Sequence, residues 1–429
     1  MDLNVVHAPS EWGIGGTEKA AELFVRNHDA MDAYPVGLKS RGQRAETLSD
    51  DGYDVYVPED VEDFADFLKR NDIHILHTHD GNGELVTEAA KRAGTPLVIK
   101  SSQFGEYDQP DTCREIDHFI YPSNHTLFRT LVLNQLLKAD DWPQNMTGIY
   151  NPLDTSELSS GTPLDCVNHL EERTPVIGKI GRPVPEKWGK LTIRAFAEVQ
   201  KVRPDTKLLL VGAPEKIKKE ARSLGCDDKV IYRDTLPPDK VNDFYASIDA
   251  LAHTSAIGES FGYVIAEAMA SGVPVVVDST PMRDNAQIEL VRHGETGYIA
   301  NSASGFSEAL IRLLGTSSDT YSTKARERAE EFSADCMTRR LEGVYRRLAA
   351  DHGLIEESAD PVVSEASERD RIREYRSRYD HCLETSIRPD DGYHGLERYA
   401  WKIVAGLPAG REISFGLLRK FFIFSNEYI

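Results

Sequence analysis

No run of apolar residues in this chain approaches the roughly 18 that would cross a bilayer. The opening "MDLNVVHAPSEWG" is acidic and turns into a strand and loop, too soon for the charged head and apolar stretch of a secretion signal. Cytoplasmic residence is therefore expected, at most against the inner membrane surface. Cysteine is scarce: Cys113, Cys166, Cys226, Cys336 and Cys382 are the five in 429 residues. None forms a Cys-x-x-Cys pair, which argues against a structural zinc and a disulfide scaffold. Positive charge is also short, with 50 Lys and Arg against 70 Asp and Glu and a net charge of −20. Such a surface repels a phosphate backbone, so nucleic acid is not expected as a partner. No Asp-x-Asp motif closes a strand-like run, and no metal site is read from the sequence.

What the chain does have is alternation. Strand-like runs occur at "LNVVHA", "HILHTH", "PLVIKS", "HFIYPS" and "TGIYNP", with helical patterns such as "TEKAAELFVRNH" and "GELVTEAAKRAG" between them. The pattern restarts at "PVIGKIGR" and continues through "KLLLVG", "KVIYRD", "IDALAHT" and "VPVVVDS", with helices at Leu191–Val202, Glu215–Leu224 and Val241–Ser247. Strands that alternate with helices in this way build parallel sheets covered on both faces. The expected class is α/β, with a first Rossmann-like domain over residues 1–170 and a second over 171–335. The Ser-, Pro- and Asp-rich stretch between the two series reads as a linker. A helix follows over 336–355, and a charged, finally aromatic extension over 356–429. That extension either packs back on the body or contacts a membrane surface or protein partner.

Four clusters carry candidate chemistry. In "GESFGYVIAEAMASGVPVVV", Glu259 and Glu267 accompany small and apolar residues. Ser260 is a candidate helix cap, with a helix from about Phe261 to Ser271 and Gly272 as its stop. Glu259 then falls on the loop between a strand end and a helix, where ligands of parallel sheets bind. Two acceptors at different depths suit a ligand with many hydroxyls. The second cluster is "GRPVPEKWGK", which puts Arg182 and Lys187 in a loop after a strand. Guanidinium and ammonium groups there suit phosphate oxygens, although ordinary surface cations would read the same. The third is "EWGIGGTEK", where Gly15 and Gly16 precede a helix whose N-terminus favours an anion. The fourth is "HTHD", with His77 and His79 at a strand end. A histidine there can donate to a sugar hydroxyl or simply be satisfied within the core.

Together these residues resemble the retaining glycosyltransferases of the GT-B fold, family 4. The "ESFGYVIAEAMASGVPVVV" block is similar to that family's Glu-x7-Glu signature. "IGRPVPEKWGKLTIRAF", "KLLLVGAP", "IYNPLD" and "HGETGYI" follow in the family's order, from Asp2 to about Leu348. The resemblance implies two Rossmann-like domains facing a cleft and a donor that is a nucleoside diphosphate sugar, with no further cofactor and no metal. It implies that Glu259 meets the donor sugar's hydroxyls, helped by backbone amides over Ser260, Phe261 and Gly262. Glu267 would grip the ribose. Arg182 and Lys187 would neutralise the diphosphate, and Gly15 and Gly16 would bring backbone close to it. His79 would contact the sugar near the reacting carbon. Asn151 matches the family's Pro-Asn-Gly turn, with Pro152 in place of the glycine. The acceptor would be a glycan, a lipid-linked sugar or a small molecule. Rival readings are a nucleotide-sugar epimerase or sugar phosphorylase on the same scaffold, or a non-catalytic binding subunit.

Overall fold

The computed structural model describes residues 3–79, 83–103, 115–133, 145–156, 158, 161–168, 170–171, 174–280, 284–315, 318–356, 370–372 and 374–375. Asp80 and nearly all of the expected C-terminal extension lie outside the described residues.

Six strands make the first sheet: β1 (Leu3–Ala8), β2 (Met31–Pro35), β3 (Ile75–Thr78), β4 (Leu97–Ser101), β5 (His118–Tyr121) and β6 (Met146–Gly148). Six more make the second: β7 (Val176–Ile180), β8 (Lys207–Val211), β9 (Val230–Arg233), β10 (Ala250–His253), β11 (Val275–Val277) and β12 (Gly297–Ile299). Every pairing between them is parallel. Central strands β3, β4, β5 and β10 are buried at every position, as helices on both faces require. Edge strands β2 and β9 are only partly buried. The polar "MDAYP" of β2 carries no strand periodicity and is not legible as a strand in the sequence.

The order of the first sheet is β2-β1-β3-β4-β5-β6, and that of the second is β12-β11-β10-β7-β8-β9. In the first, the chain leaves β1 for β2 on one side and returns to β3 on the other. In the second, it runs outward from β7 to β9, then crosses back to β10 beside β7. Each reversal opens a crevice at the carboxyl ends of two adjacent strands, and ligands of such sheets bind there. The two crevices lie beyond β1 and β3, and beyond β7 and β10.

The chain divides into two compact units at Asp154/Thr155 and again at Glu331/Phe332. The first division falls earlier than residue 170 because the expected linker packs on the second unit. The Thr162 amide donates to Asp243 Oδ1 at 2.9 Å and the Leu164 amide to Ser247 Oγ at 2.8 Å. The helix Ala334–Asp351 belongs to the first unit. Its Met337, Leu341, Val344, Tyr345 and Leu348 recur at helical spacing and join the core of Leu3, Val5, Ile75 and Ile99. Backbone bonds between Leu153 and both Phe332 and Ala334, at 2.9 and 2.8 Å, secure its entry. Residues 370–372 are helical, and Arg371 donates to the Gly148 carbonyl at 3.1 Å.

Candidate functional site

The loop after β10 presents Glu259. It turns at Gly258, whose φ is +72°, and an added Cβ there would lie 1.6 Å from the Asp284 carbonyl oxygen. The turn is closed by the Gly258 amide on the Ser255 carbonyl at 3.1 Å and by Ser255 Oγ on the Gly258 carbonyl at 2.9 Å. Gly258→Ala is therefore expected to strain this loop by about 1–3 kcal/mol or more. It should lower the melting temperature by roughly 5 °C. A calorimetric scan indistinguishable from the parent's would show that the loop relaxes around the methyl.

Lys187, in the loop after β7, reaches both Glu259 carboxylate oxygens at 2.9 Å. His253 Nε2, at the end of β10, lies 3.0 Å from Oε1. The Glu259 amide donates to Gln287 Oε1 at 3.2 Å. Burial pushes the carboxyl's pKa up, but Lys187 and His253 outweigh it and hold it at about 2. Burial lowers the pKa of His253, although Glu259 pulls the other way. Three hydrogen bonds leave this carboxylate room for one more donor. Arg182 is exposed, and among the described residues its carbonyl is engaged by Trp188 Nε1 at 2.8 Å and by the Val184 amide.

Eight residues before Lys187, Lys179 lies on β7 and is fully buried. Its Nζ donates to the Thr254 carbonyl and, at 3.2 Å, to Thr254 Oγ1, and it sits 5.0 Å from the Trp188 ring. Burial lowers its pKa to about 8, against the pull of Asp278 and Glu259.

The helix after this loop begins later than the sequence suggests. It spans Tyr263–Ala270, and its cap is Gly262 with φ +103°, not Ser260. Ser260 and Phe261 form the turn before it, where a left-handed residue is needed and only glycine adopts one without strain. The far end stops as expected. The amides of Gly272 and Val273 bond the carbonyls of Met269 and Ala268 at 2.9 and 2.8 Å, a Schellman closure around Gly272. Glu267 is buried within this helix, and one of its oxygens accepts from Tyr245 Oη at 2.8 Å.

In the first unit, Gly15 caps the helix Gly16–Asn27 beyond β1, and both glycines are exposed. His79 follows β3, in the same crevice of that sheet. It belongs to a buried group of histidines. His7 Nδ1 is 2.8 Å from His79 Nε2, and His7 Nε2 is 3.0 Å from His28 Nε2. His28 Nδ1 is 2.9 Å from Glu342 Oε1. Burial drives the pKa of His79 down to about 3 and those of His7 and His77 well below the ordinary value. His79 Nδ1 is buried and has no partner among the described residues, a vacancy that costs about 1–3 kcal/mol unless a ligand fills it.

His7, His77 and His79 bring three ring nitrogens within 4.8 Å of one another, close enough for a metal among the described residues. Five of the six ring nitrogens are bonded within the protein, however, and the sixth is His79 Nδ1. His77 is bonded to Tyr345 Oη and to Ser101 Oγ, at 2.5 and 2.9 Å, and His7 and His79 bond each other. Asn151 is buried and donates to Gln103 Oε1 at 3.3 Å.

Glu259, Lys187 and the turn before the helix are thus brought together, with Arg182 in the same loop as Lys187. Sequence reasoning missed His253, Lys179, Gln287 and Tyr245. His253 carried a usable signal, since it ends a strand just as "HTHD" does. Lys179 sits inside an apolar run and reads as strand interior.

Residues 166–332 match the family model for glycosyl transferases group 1. A D-inositol 3-phosphate glycosyltransferase of Acidothermus cellulolyticus is 27% identical over 318 residues, 65% of this chain and 68% of that protein. The chain spans about half of two further proteins of that name, 52% of one and 50% of the other. An N-acetyl-alpha-D-glucosaminyl L-malate synthase of Bacillus anthracis is 25% identical over 395 residues, 82% of this chain and 98% of that protein. Among solved structures, a glycosyltransferase from Rickettsia africae superposes with TM-score 0.64 at 15% identity, covering 81% of this chain and 98% of that one. HepE of Anabaena, in complex with UDP and glucose, superposes with TM-score 0.62 at 18% identity, covering 80% of this chain and all of that one.

Proposed function

We propose, for a chain that is a glycosyltransferase of the GT-B fold related to glycosyl transferases group 1, that it moves a sugar from a nucleoside diphosphate to an acceptor hydroxyl with retention of configuration. The observation that carries this reading is the Lys187–Glu259–His253 group at the carboxyl ends of β7 and β10, where that sheet reverses. It joins a fixed cation, for charge that develops on a leaving diphosphate, to an ionised carboxylate that accepts from hydroxyls. HepE, solved with UDP and glucose, supports a donor of this class.

In this reading Arg182 and Lys187 neutralise the departing diphosphate, and no metal is needed for that task. Glu259 holds the donor sugar and Glu267 the ribose. Gly15 and Gly16 let a phosphate approach backbone in the first unit, and His79 meets a sugar hydroxyl. Glu259 is held by three hydrogen bonds, which suits a grip better than a covalent nucleophile. Retention then proceeds by same-face attack. The acceptor oxygen bonds the anomeric carbon, the bond to the phosphate oxygen breaks, and that oxygen takes the acceptor's proton. The products belong to glycan, glycolipid or glycoconjugate synthesis. The protein acts in the cytoplasm, and no helix among the described residues is long and apolar enough to cross a membrane.

Calorimetry with a nucleoside diphosphate and its sugar conjugate tests the two glutamates. Glu267→Ala should weaken both ligands by about ten- to a hundredfold, the worth of a hydrogen bond to a charged group. Glu259→Ala frees Lys187, so the bare nucleotide should bind as well as before or better, while the sugar conjugate and turnover suffer. Equal losses on the bare nucleotide in both variants would defeat the assignment.

A further inference from the structure

Glu342 lies 314 residues from His28 in sequence, yet ends a continuous chain of hydrogen bonds that reaches His79. The direction of each bond follows from the first. Burial pushes the Glu342 carboxyl up, but His28 and the Ala30 amide hold it below the ordinary carboxylate value, so it is ionised and only accepts. His28 must therefore donate through Nδ1. With one ring proton, already given to Glu342, His28 has a bare Nε2, which accepts from His7 Nε2–H. That leaves His7 Nδ1 bare, to accept from His79 Nε2–H. The last ring is left with a bare Nδ1, the buried atom that has no partner among the described residues.

We propose that Glu342 is a positioning residue which, through His28 and His7, fixes His79 as its Nε2–H tautomer and so presents Nδ1 as an acceptor to a sugar hydroxyl. The sequence suggests a histidine that donates at this strand end; the chain of bonds reverses that direction. His77 stands beside the chain and outside it, because its two nitrogens are engaged by Tyr345 and Ser101. A neutral imidazole held in one tautomer offers a hydroxyl a directional acceptor, without the charge that would compete for the diphosphate. Deeper in the core, Tyr345 packs 6.1 Å from His28 and 6.5 Å from His7, between ring centroids.

This inference rests on the reading of His79 as a sugar contact, and its test separates the two. The full chain, labelled with nitrogen-15 at histidine, is examined by NMR at mildly alkaline pH, with His79→Gln to assign the signal. His79 should show a protonated Nε2 and a bare Nδ1. Couplings across the N–H···N bonds should link it to His7, and His7 to His28. In Glu342→Gln the amide can donate or accept, so His28 is no longer forced and His79 should become a mixture of tautomers. His28→Phe, which cuts the chain, should do the same. A wild-type His79 protonated at Nδ1, or missing couplings, overturns the proposal even if neither variant folds. So does a single unchanged tautomer in both folded variants. Titration with UDP-glucose as the probe should move the Nδ1 signal where UDP alone does not. If the couplings persist and the probe leaves Nδ1 unmoved, the sugar contact falls and the positioning by Glu342 stands.

Discussion

Lys187→Ala should cut transfer from a nucleotide sugar by about a hundred- to a thousandfold, the usual loss when one fixed donor to a developing oxyanion is removed. The loss should fall on kcat more than on the donor's KM, because charge on the diphosphate is greatest as the bond breaks. A second consequence distinguishes this lysine from Arg182. Lys187 holds both oxygens of a largely buried carboxylate, so its removal leaves that carboxylate with His253 as its remaining partner among the described residues. Glu259 should then titrate at higher pH, and the protein should lose stability. Arg182 is exposed, and Arg182→Ala should lower turnover while leaving the melting temperature unchanged. Pairing Lys187→Ala with Glu259→Ala makes the cycle complete. If the pair were only structural, the double variant would recover activity; as catalytic groups they should not recover it. The assays are run with a chelator present, since the cations are proposed to act without a metal. A folded Lys187→Ala that retains more than a tenth of parental turnover would remove this lysine from the mechanism.

The parts of this site that were legible in the sequence are local ones. Glu259 could be placed on a strand-to-helix loop because "IDALAHT" reads as a buried strand and "AMASG" is too small and apolar to face water. Gly272 could be read as a helix stop because the residues after it cannot continue a helix. The helix start was misread by two residues, since a serine three positions after Ile257 has the chemistry of a cap. The left-handed turn at Gly262 overrides it. In the first unit the strand-end rule found His77 and His79 but could not tell them apart. What separates them is contact with Ser101, His7 and Tyr345, and the last of these comes from a helix 268 residues away. No periodicity encodes a bond between His28 and Glu342. The helices Ala303–Gly315 and Ser318–Glu330 were not singled out either, because they carry no candidate chemistry.

The buried histidines also set how the protein responds to acid, and the effect should be large. In the first unit His7, His77, His79 and His118 are all held neutral by burial, and the pKa values of His79 and His118 are pushed down to about 3. An unfolded chain titrates its histidines near 6.5. Below that pH the unfolded state takes up protons that the folded state refuses, so stability falls as pH falls. The loss begins near 6.5 and continues toward 3. By pH 5 His79 and His118 have each removed about 2 kcal/mol, and His7 and His77 add to the loss in the same direction. Glu259 acts in a lower window. Its pKa of about 2 contributes stability above the ordinary carboxylate value and loses it only as pH drops from about 4.5 toward 2. The second unit has His253 as its strongly buried histidine near the site, so it should outlast the first. Chemical denaturation between pH 7 and 5 should therefore show a steep loss of stability, with several protons taken up on unfolding. His118 lies outside the candidate site and bonds Thr147 Oγ1 at 2.8 Å. His118→Asn should reduce the slope of stability against pH by about 1.4 kcal/mol per unit well below pH 6.5, whatever it does to stability at neutral pH. A stability that stays level from pH 7 to 5 would mean that these imidazoles take protons in the folded state, and the neutral chain ending at His79 would lose its footing with them.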